Sequence, residues 1–233
     1  MEAKKNIGFL PQKPPLYSDH TVDEFLTFAA EMRLVDPKKI KQAVEMAKER
    51  CGIAHFSKRL IRNLSGGYQQ RLGIAQAIIH NPAFVVLDEP TNGLDPNQIV
   101  EIRHLIKEIA EERTVVLSTH ILTEVQATCD YIRMIEQGSL VFAGTVREFD
   151  NYITPTSVVV SLLSMPPIDD LRSLPGIVSV EELGGTKYRL QFVNAQEMME
   201  KVVEISNIRG WRLNEIYLEK SSLDAIFAEL SKK

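Results

Sequence analysis

Asn63-Leu64-Ser65-Gly66-Gly67-Tyr68-Gln69-Gln70-Arg71 and, further on, Phe84-Val85-Val86-Leu87-Asp88-Glu89-Pro90 carry the decisive pattern of this chain. From Gly66 the residues predict a helix to about Ile79, stopped by Asn81-Pro82. Phe84 to Leu87 is an unbroken apolar run between polar breakers, which predicts a buried parallel strand. Asp95-Pro96 then caps a second helix with Ile99, Ile102, Ile106 and Ile109 on one face. Thr114-Val115-Val116-Leu117 predicts a second buried strand, ending in Ser118-Thr119-His120, and a helix runs from about Ile121 to Thr128. Tyr131 to Ile135 predicts a third strand, which Gln137-Gly138 turns into Ser139 to Ala143. Strand and helix alternate, so the fold class is α/β, with helices packed on a largely parallel sheet.

Toward the N-terminus, Ile7-Gly8-Phe9-Leu10 predicts a short strand that breaks at Pro11. Thr21 with Glu24 forms a capping box for a helix over Val22, Phe25, Leu26 and Ala29. Asp36-Pro37 predicts another helix start, with Ile40, Ala43, Val44 and Ala47 on its apolar face and Cys51-Gly52 at its end. Toward the C-terminus the composition changes near Thr154-Pro155. Beyond it the pattern predicts strand 156–163, helix 167–174, strand 177–183, a Gly184-Gly185 turn, strand 186–193, helix 195–207, strand 211–217 and helix 222–231. The order βαββαβ matches a small α+β ferredoxin-like domain plus one terminal helix. Two domains are expected, 1–152 and 153–233.

The composition narrows the function classes. The 233 residues are 44% hydrophobic and 25% charged, which suits a globular protein with a sizeable core. A net charge of -4 forces no basic patch, so nucleic acid is not an expected partner. Cys51 and Cys129 have no CxxC neighbour, which argues against a disulfide framework or zinc site and fits a reducing cytosol. No apolar run approaches the roughly 18 residues of a membrane span, and Met1 to Asn6 lacks a signal-peptide apolar core. Any service to a membrane is expected to pass through a partner.

Leu64-Ser65-Gly66-Gly67 stands where a helix begins. Glycines allow close backbone approach, and the free N–H groups and dipole of a helix start favour phosphate. The same residues also suit a plain Ser-capped helix. Asp88-Glu89 follows a strand, at the edge where open α/β sheets bind ligands. A strand-end aspartate suits Mg²⁺ held through its water shell, and a neighbouring glutamate suits the activation of water; both also suit the start of a solvated loop. His120 ends one strand and Gln12 another, and either can reach a phosphate, a magnesium ligand or the attacking water. His20, His55, His80 and His104 have no such setting and are assigned to surface or packing.

In this order, Gln12, Leu64 to Gly67, Leu87-Asp88-Glu89-Pro90, Gly93-Leu94-Asp95-Pro96 and His120 resemble the ATP-binding subunit of an ABC transporter, a P-loop NTPase, over residues 7 to about 145. The resemblance implies that Gln12 is the Q-loop glutamine, which senses the γ-phosphate and faces the membrane subunit. Ser65, Gly66 and Gly67 would form the signature that clasps ATP held by a second subunit. Asp88 would be the Walker B aspartate, Glu89 the catalytic base, Asp95 part of the D-loop at the dimer interface, and His120 the switch histidine on the γ-phosphate. ATP and Mg²⁺ are the implied cofactors. A transmembrane permease and a second ATPase subunit, identical or different, are the implied partners, placing the protein on the inner face of the cell membrane. Ile7 to Gln12 with Pro14-Pro15-Leu16-Tyr17 is similar to exporter ATPases of drug, sodium, copper and gliding-motility type. Their extra C-terminal domain often ends in a pattern like Ser222-Leu223-Asp224-Ala225-Ile226-Phe227.

The chain departs from the family pattern in two places. Tyr68 stands where glutamine is usual, and no GxxxxGK[ST] occurs in the 233 residues. The family places that Walker A loop, and the aromatic that stacks on adenine, ahead of the Q-loop glutamine. The expectation is therefore an exporter ATPase lacking its N-terminal part and inactive alone, since the loop cradles the β- and γ-phosphates. Two other readings are a non-catalytic subunit that lends its signature to a complete ATPase, and an ABC ATPase outside transport.

Overall fold

The computed structural model describes residues 5–152, 156–192 and 195–219. The chain divides into two compact units, Met1–Asp130 and Tyr131–Lys233. The boundary read at 152/153 thus falls inside the second unit. The predicted helix 222–231 and the Ser222 to Phe227 pattern lie outside the described residues.

In the first unit, β1 (Ile7–Leu10), β2 (Phe84–Asp88) and β3 (Thr114–Ser118) form a parallel sheet in the order β1-β2-β3. Leu10 pairs in register with Leu87, and Leu87 with Leu117, so the carboxyl ends of the strands share one edge. Helix α1 (Val22–Met32) begins at Thr21, and the Thr21–Glu24 capping box forms as predicted. Helix α2 (Ile40–Arg50) starts later than the sequence suggests. The Asp36 carboxylate accepts from Lys38 N at 3.0 Å and closes a turn, and Lys39 occupies the N-cap position with no side-chain cap bond. An Asx turn competes with a helix start for the same carboxylate, and here it wins.

Helix α3 (Gly66–Ile78) is the centre of the unit. Leu72, Ile74, Ala75 and Ala77 are all fully buried, so the helix is covered on several sides rather than along one stripe. It crosses β1 so closely that a Cβ on Gly8 would stand 2.2 Å from the carbonyl oxygen of Ala77. Only glycine fits there. Helix α4 (Pro96–Ala110) buries Ile102, Leu105, Ile106 and Ile109 in the same core. Helix α5 (Leu122–Thr128) follows β3.

The sheet is less buried than its apolar sequence predicts. In β2 burial alternates, with Val85 and Leu87 buried and Phe84 and Val86 only partly so. In β3 no residue is fully buried, and Val116 is 43% exposed. Val115 and Leu117 pack against the core while Thr114, Val116 and Ser118 are exposed, so only one face of β3 is covered.

In the second unit, β4 (Tyr131–Glu136) and β5 (Ser139–Thr145) form an antiparallel hairpin. Gln137 and Gly138 both have positive φ, as a two-residue hairpin turn requires. A short helix α6 (Val146–Asp150), absent from the sequence reading, opens with a second capping box, Thr145 with Glu148. Then follow β6 (Ser157–Leu162), α7 (Ile168–Arg172), β7 (Ile177–Gly184), β8 (Lys187–Phe192), α8 (Ala195–Arg209) and β9 (Leu213–Glu219). The sheet order β7-β8-β6-β9 with every pair antiparallel is the ferredoxin-like arrangement. Val158, Val160, Leu162 and Leu190 are fully buried, and Leu171 and Val202 of the two helices join them in one core.

Candidate active site

The carboxyl edge of the parallel sheet collects the residues singled out at strand ends. Asp88 is the last residue of β2, in register with Ser118, and its side chain is partly buried. Gln12 stands two residues past β1 at the same edge and is exposed. Glu89 adopts the left-handed conformation at φ 47°, uncommon for a residue with a side chain. Its amide donates to the carbonyl of Ser118 at 2.8 Å.

This backbone geometry brings Glu89 to His120. Glu89 Oε1 accepts from the amide of His120 at 3.1 Å and from its ring Nδ1 at 2.6 Å. The ionised carboxylate can only accept, so Nδ1 carries the proton and Nε2 is the ring nitrogen left for a ligand. The Glu89 side chain is 14% exposed and that of His120 is 74% exposed. The hydrogen bond from His120 to Glu89, and the charge of Glu89, raise the imidazole pKa above its ordinary value.

Three residues that the sequence reading did not assign complete this cluster. Thr119 Oγ1 lies 3.3 Å from Glu89 Oε2 and 3.3 Å from Glu124 Oε2. Thr91 Oγ1 donates to Glu124 Oε1. Thr91 and Glu124 are 3% and 1% exposed. In the sequence Glu124 reads as one more acid near a helix start, so periodicity gives no sign of its burial.

Ser65, Gly66 and Gly67 form the start of α3. Ser65 is the N-cap, yet its hydroxyl makes no cap bond, and the residue is exposed. The plain Ser-capped helix is therefore not what forms. A Cβ at Gly66 would have no atom within 4 Å, and Gly66 has no positive φ. Nothing in the fold itself requires glycine there. A Cβ at Gly67 would stand 2.7 Å from Gln98 Cδ. Gln98 belongs to the first turn of α4, whose amides at Asn97 and Gln98 donate to Asp95 Oδ1 at 3.0 Å each. Asp95 thus caps the helix that overlies the glycine turn. Tyr68 packs edge-on against Phe56, with ring centroids 4.6 Å apart, which gives the unusual tyrosine a packing role. Among the described residues no hydrogen bond or ion pair joins Ser65 to Gly67 with the Glu89–His120 pair.

No cluster of three or more His, Cys, Asp and Glu side chains suited to a metal occurs among the described residues. Asp88 alone is a donor set that fits Mg²⁺, which keeps most of its waters and is held by one or two carboxylates plus substrate phosphates.

A family profile described as ABC transporter matches residues 1–92. The uncharacterized ABC transporter ATP-binding protein YhcH of Bacillus subtilis is 30% identical over 233 residues, covering 99% of this chain and 73% of that protein. The chain belongs to the ABC transporter ATP-binding protein family. The bacitracin transport ATP-binding protein BcrA of Bacillus licheniformis is 39% identical over 141 residues, 60% of this chain and 45% of its own. Among solved structures, CbiO1 from Clostridium perfringens, described as part of the ABC transporter complex CbiONQ, matches with a TM-score of 0.59 and 31% identity. That match covers 64% of this chain and 60% of CbiO1. The ABC ATPase fold is thereby established, and the family is one of ATP-hydrolysing enzymes. The chain spans about half the length of curated relatives such as YxlF and BcrA. No helix among the described residues is long and apolar enough to cross a membrane.

Proposed function

We propose that this chain is an ATP-binding and ATP-hydrolysing subunit that energises an ABC exporter through a membrane permease. The observation that carries the reading is the Glu89–His120 pair at the carboxyl edge of the sheet. Glu89 is the general base: its carboxylate takes the proton as a water oxygen bonds to the γ-phosphorus and the bond to the β–γ bridging oxygen breaks. As the imidazolium, which its bond to Glu89 favours, His120 donates Nε2–H to the γ-phosphate. Gln12 stands at the same edge to sense the γ-phosphate and contact the permease. Asp88 would hold Mg²⁺, whose charge stabilises the phosphate oxygens. Ser65, Gly66 and Gly67 clasp the nucleotide of a second ATPase subunit, with Asp95 at that interface, and the protein sits on the inner face of the membrane through its permease. Residues 153–233 form an accessory domain.

The 233 residues contain no GxxxxGK[ST], so hydrolysis is expected only of an assembly that brings this cradle to the β- and γ-phosphates. In such an assembly Glu89→Gln should bind ATP while turnover falls by about 10²- to 10⁴-fold. Steady-state ATPase rates beside nucleotide-binding titrations test this. Normal turnover by the variant removes Glu89 from the role of base.

A further inference from the structure

Glu124 is among the most deeply buried charged residues described, at 1% exposure, in the first turn of α5. A carboxylate taken out of water is costly unless polar partners surround it. Its partners come from two loops and a helix. Thr91 Oγ1 donates to Oε1, Thr119 Oγ1 stands 3.3 Å from Oε2, and Arg103 Nη2 of α4 lies 3.8 Å from Oε1. Thr91 sits between Glu89 and Asp95, and its carbonyl closes that loop by accepting from Leu94 N at 3.2 Å. Thr119 directly precedes His120 and accepts from Ile121 N at 3.1 Å.

Thr119 has a single hydroxyl proton and two carboxylates within reach, Glu89 and Glu124, each at 3.3 Å. The hydroxyl shares that one proton between the two carboxylates, so the buried acceptor at Glu124 sets where it lies against the second oxygen of Glu89. Through Thr91 the same carboxylate fixes the loop that carries Glu89 at one end and Asp95 at the other. We propose that Glu124 is a positioning residue, which locks the Glu89–Asp95 loop to the Thr119–His120 loop and so sets the geometry of the Glu89–His120 pair. The inference rests on the reading of Glu89 as base and His120 as γ-phosphate ligand.

The test uses Glu124→Ala, Thr119→Val and Thr119→Ser in the ATPase-competent complex. Misplacing a base by about an ångström costs on the order of ten- to hundredfold in rate. Glu124→Ala and Thr119→Val should lower kcat by that order with KM for ATP little changed, and Thr119→Ser, which keeps the hydroxyl, should restore kcat. In the chain itself, Thr119→Val removes no charge, yet it should move the His120 imidazole midpoint, followed by NMR, back toward the ordinary histidine value as Glu89 loosens. If Glu124→Ala does not fold, the Thr119 pair decides the matter. Normal kcat in Thr119→Val, alongside a dead Glu89→Gln, overturns the positioning role and leaves the base assignment standing. Normal kcat in Glu89→Gln as well overturns the reading beneath it. Loss of kcat that tracks loss of thermal stability, with no rescue by Thr119→Ser, also overturns the proposal.

Discussion

His120 donates its Nδ1 proton to a group that only accepts, and this single bond makes the histidine pH-sensitive in a definable direction. Its pKa is raised by the hydrogen bond to Glu89 and by that carboxylate's charge. The pair's contribution to stability is therefore complete below the ordinary imidazole pKa of about 6.5 and is lost as pH rises through the elevated folded value. An NMR titration should place the His120 midpoint above the ordinary value, and Glu89→Gln should bring it down. At Gly66 the opposite argument applies, because no neighbouring atom and no backbone angle demands a glycine. Gly66→Ala should leave the fold intact or stabilise it by about 0.5–1 kcal/mol, since alanine loses less conformational freedom in a helix. The same variant should depress the ATPase rate of the assembly if the turn meets a phosphate. Denaturant midpoints measured beside turnover separate the two effects, and a rate equal to wild type would remove Gly66 from the nucleotide contact.

Among the elements, α1 and α2 show why one polar start signal holds and the other fails. Thr21 and Glu24 exchange reciprocal bonds, 3.3 Å from Glu24 N to Thr21 Oγ1 and 2.8 Å from Thr21 N to Glu24 Oε2. Asp36 instead bonds two residues on and leaves α2 to begin at Ile40. Thr21→Ala should destabilise the first unit by about 1 kcal/mol, as loss of an N-cap does, whereas Asp36→Ala should cost less because no helix depends on it. Urea midpoints of the two variants check this ordering. The second capping box, Thr145 with Glu148, was equally readable in the sequence. It heads a helix of 5 residues, too short to show an apolar period.

At the scale of the whole molecule, the two units have separate cores, one built around α3 and the other on the face of β6, β7, β8 and β9. Leu190 is fully buried on β8, an interior strand of the second unit. Leu190→Ala should cost about 2–5 kcal/mol through lost burial and the cavity left behind, seen as reduced amide protection across β6 to β9. The sequence by itself determined the α/β alternation, the ferredoxin-like order of the second unit and the motif residues Gln12, Ser65 to Gly67, Asp88, Glu89, Asp95 and His120. Apolar period, turn residues and motif spacing are local properties of a chain. Only the tertiary structure decided that β3 packs on one face, that Ser65 leaves its hydroxyl unbonded, and that Glu89 meets His120 through a left-handed backbone. It alone brought Glu124, from α5, under Thr91 and Thr119. Burial and pairing of a polar group depend on which distant segments cover it, and no periodicity along the chain records that.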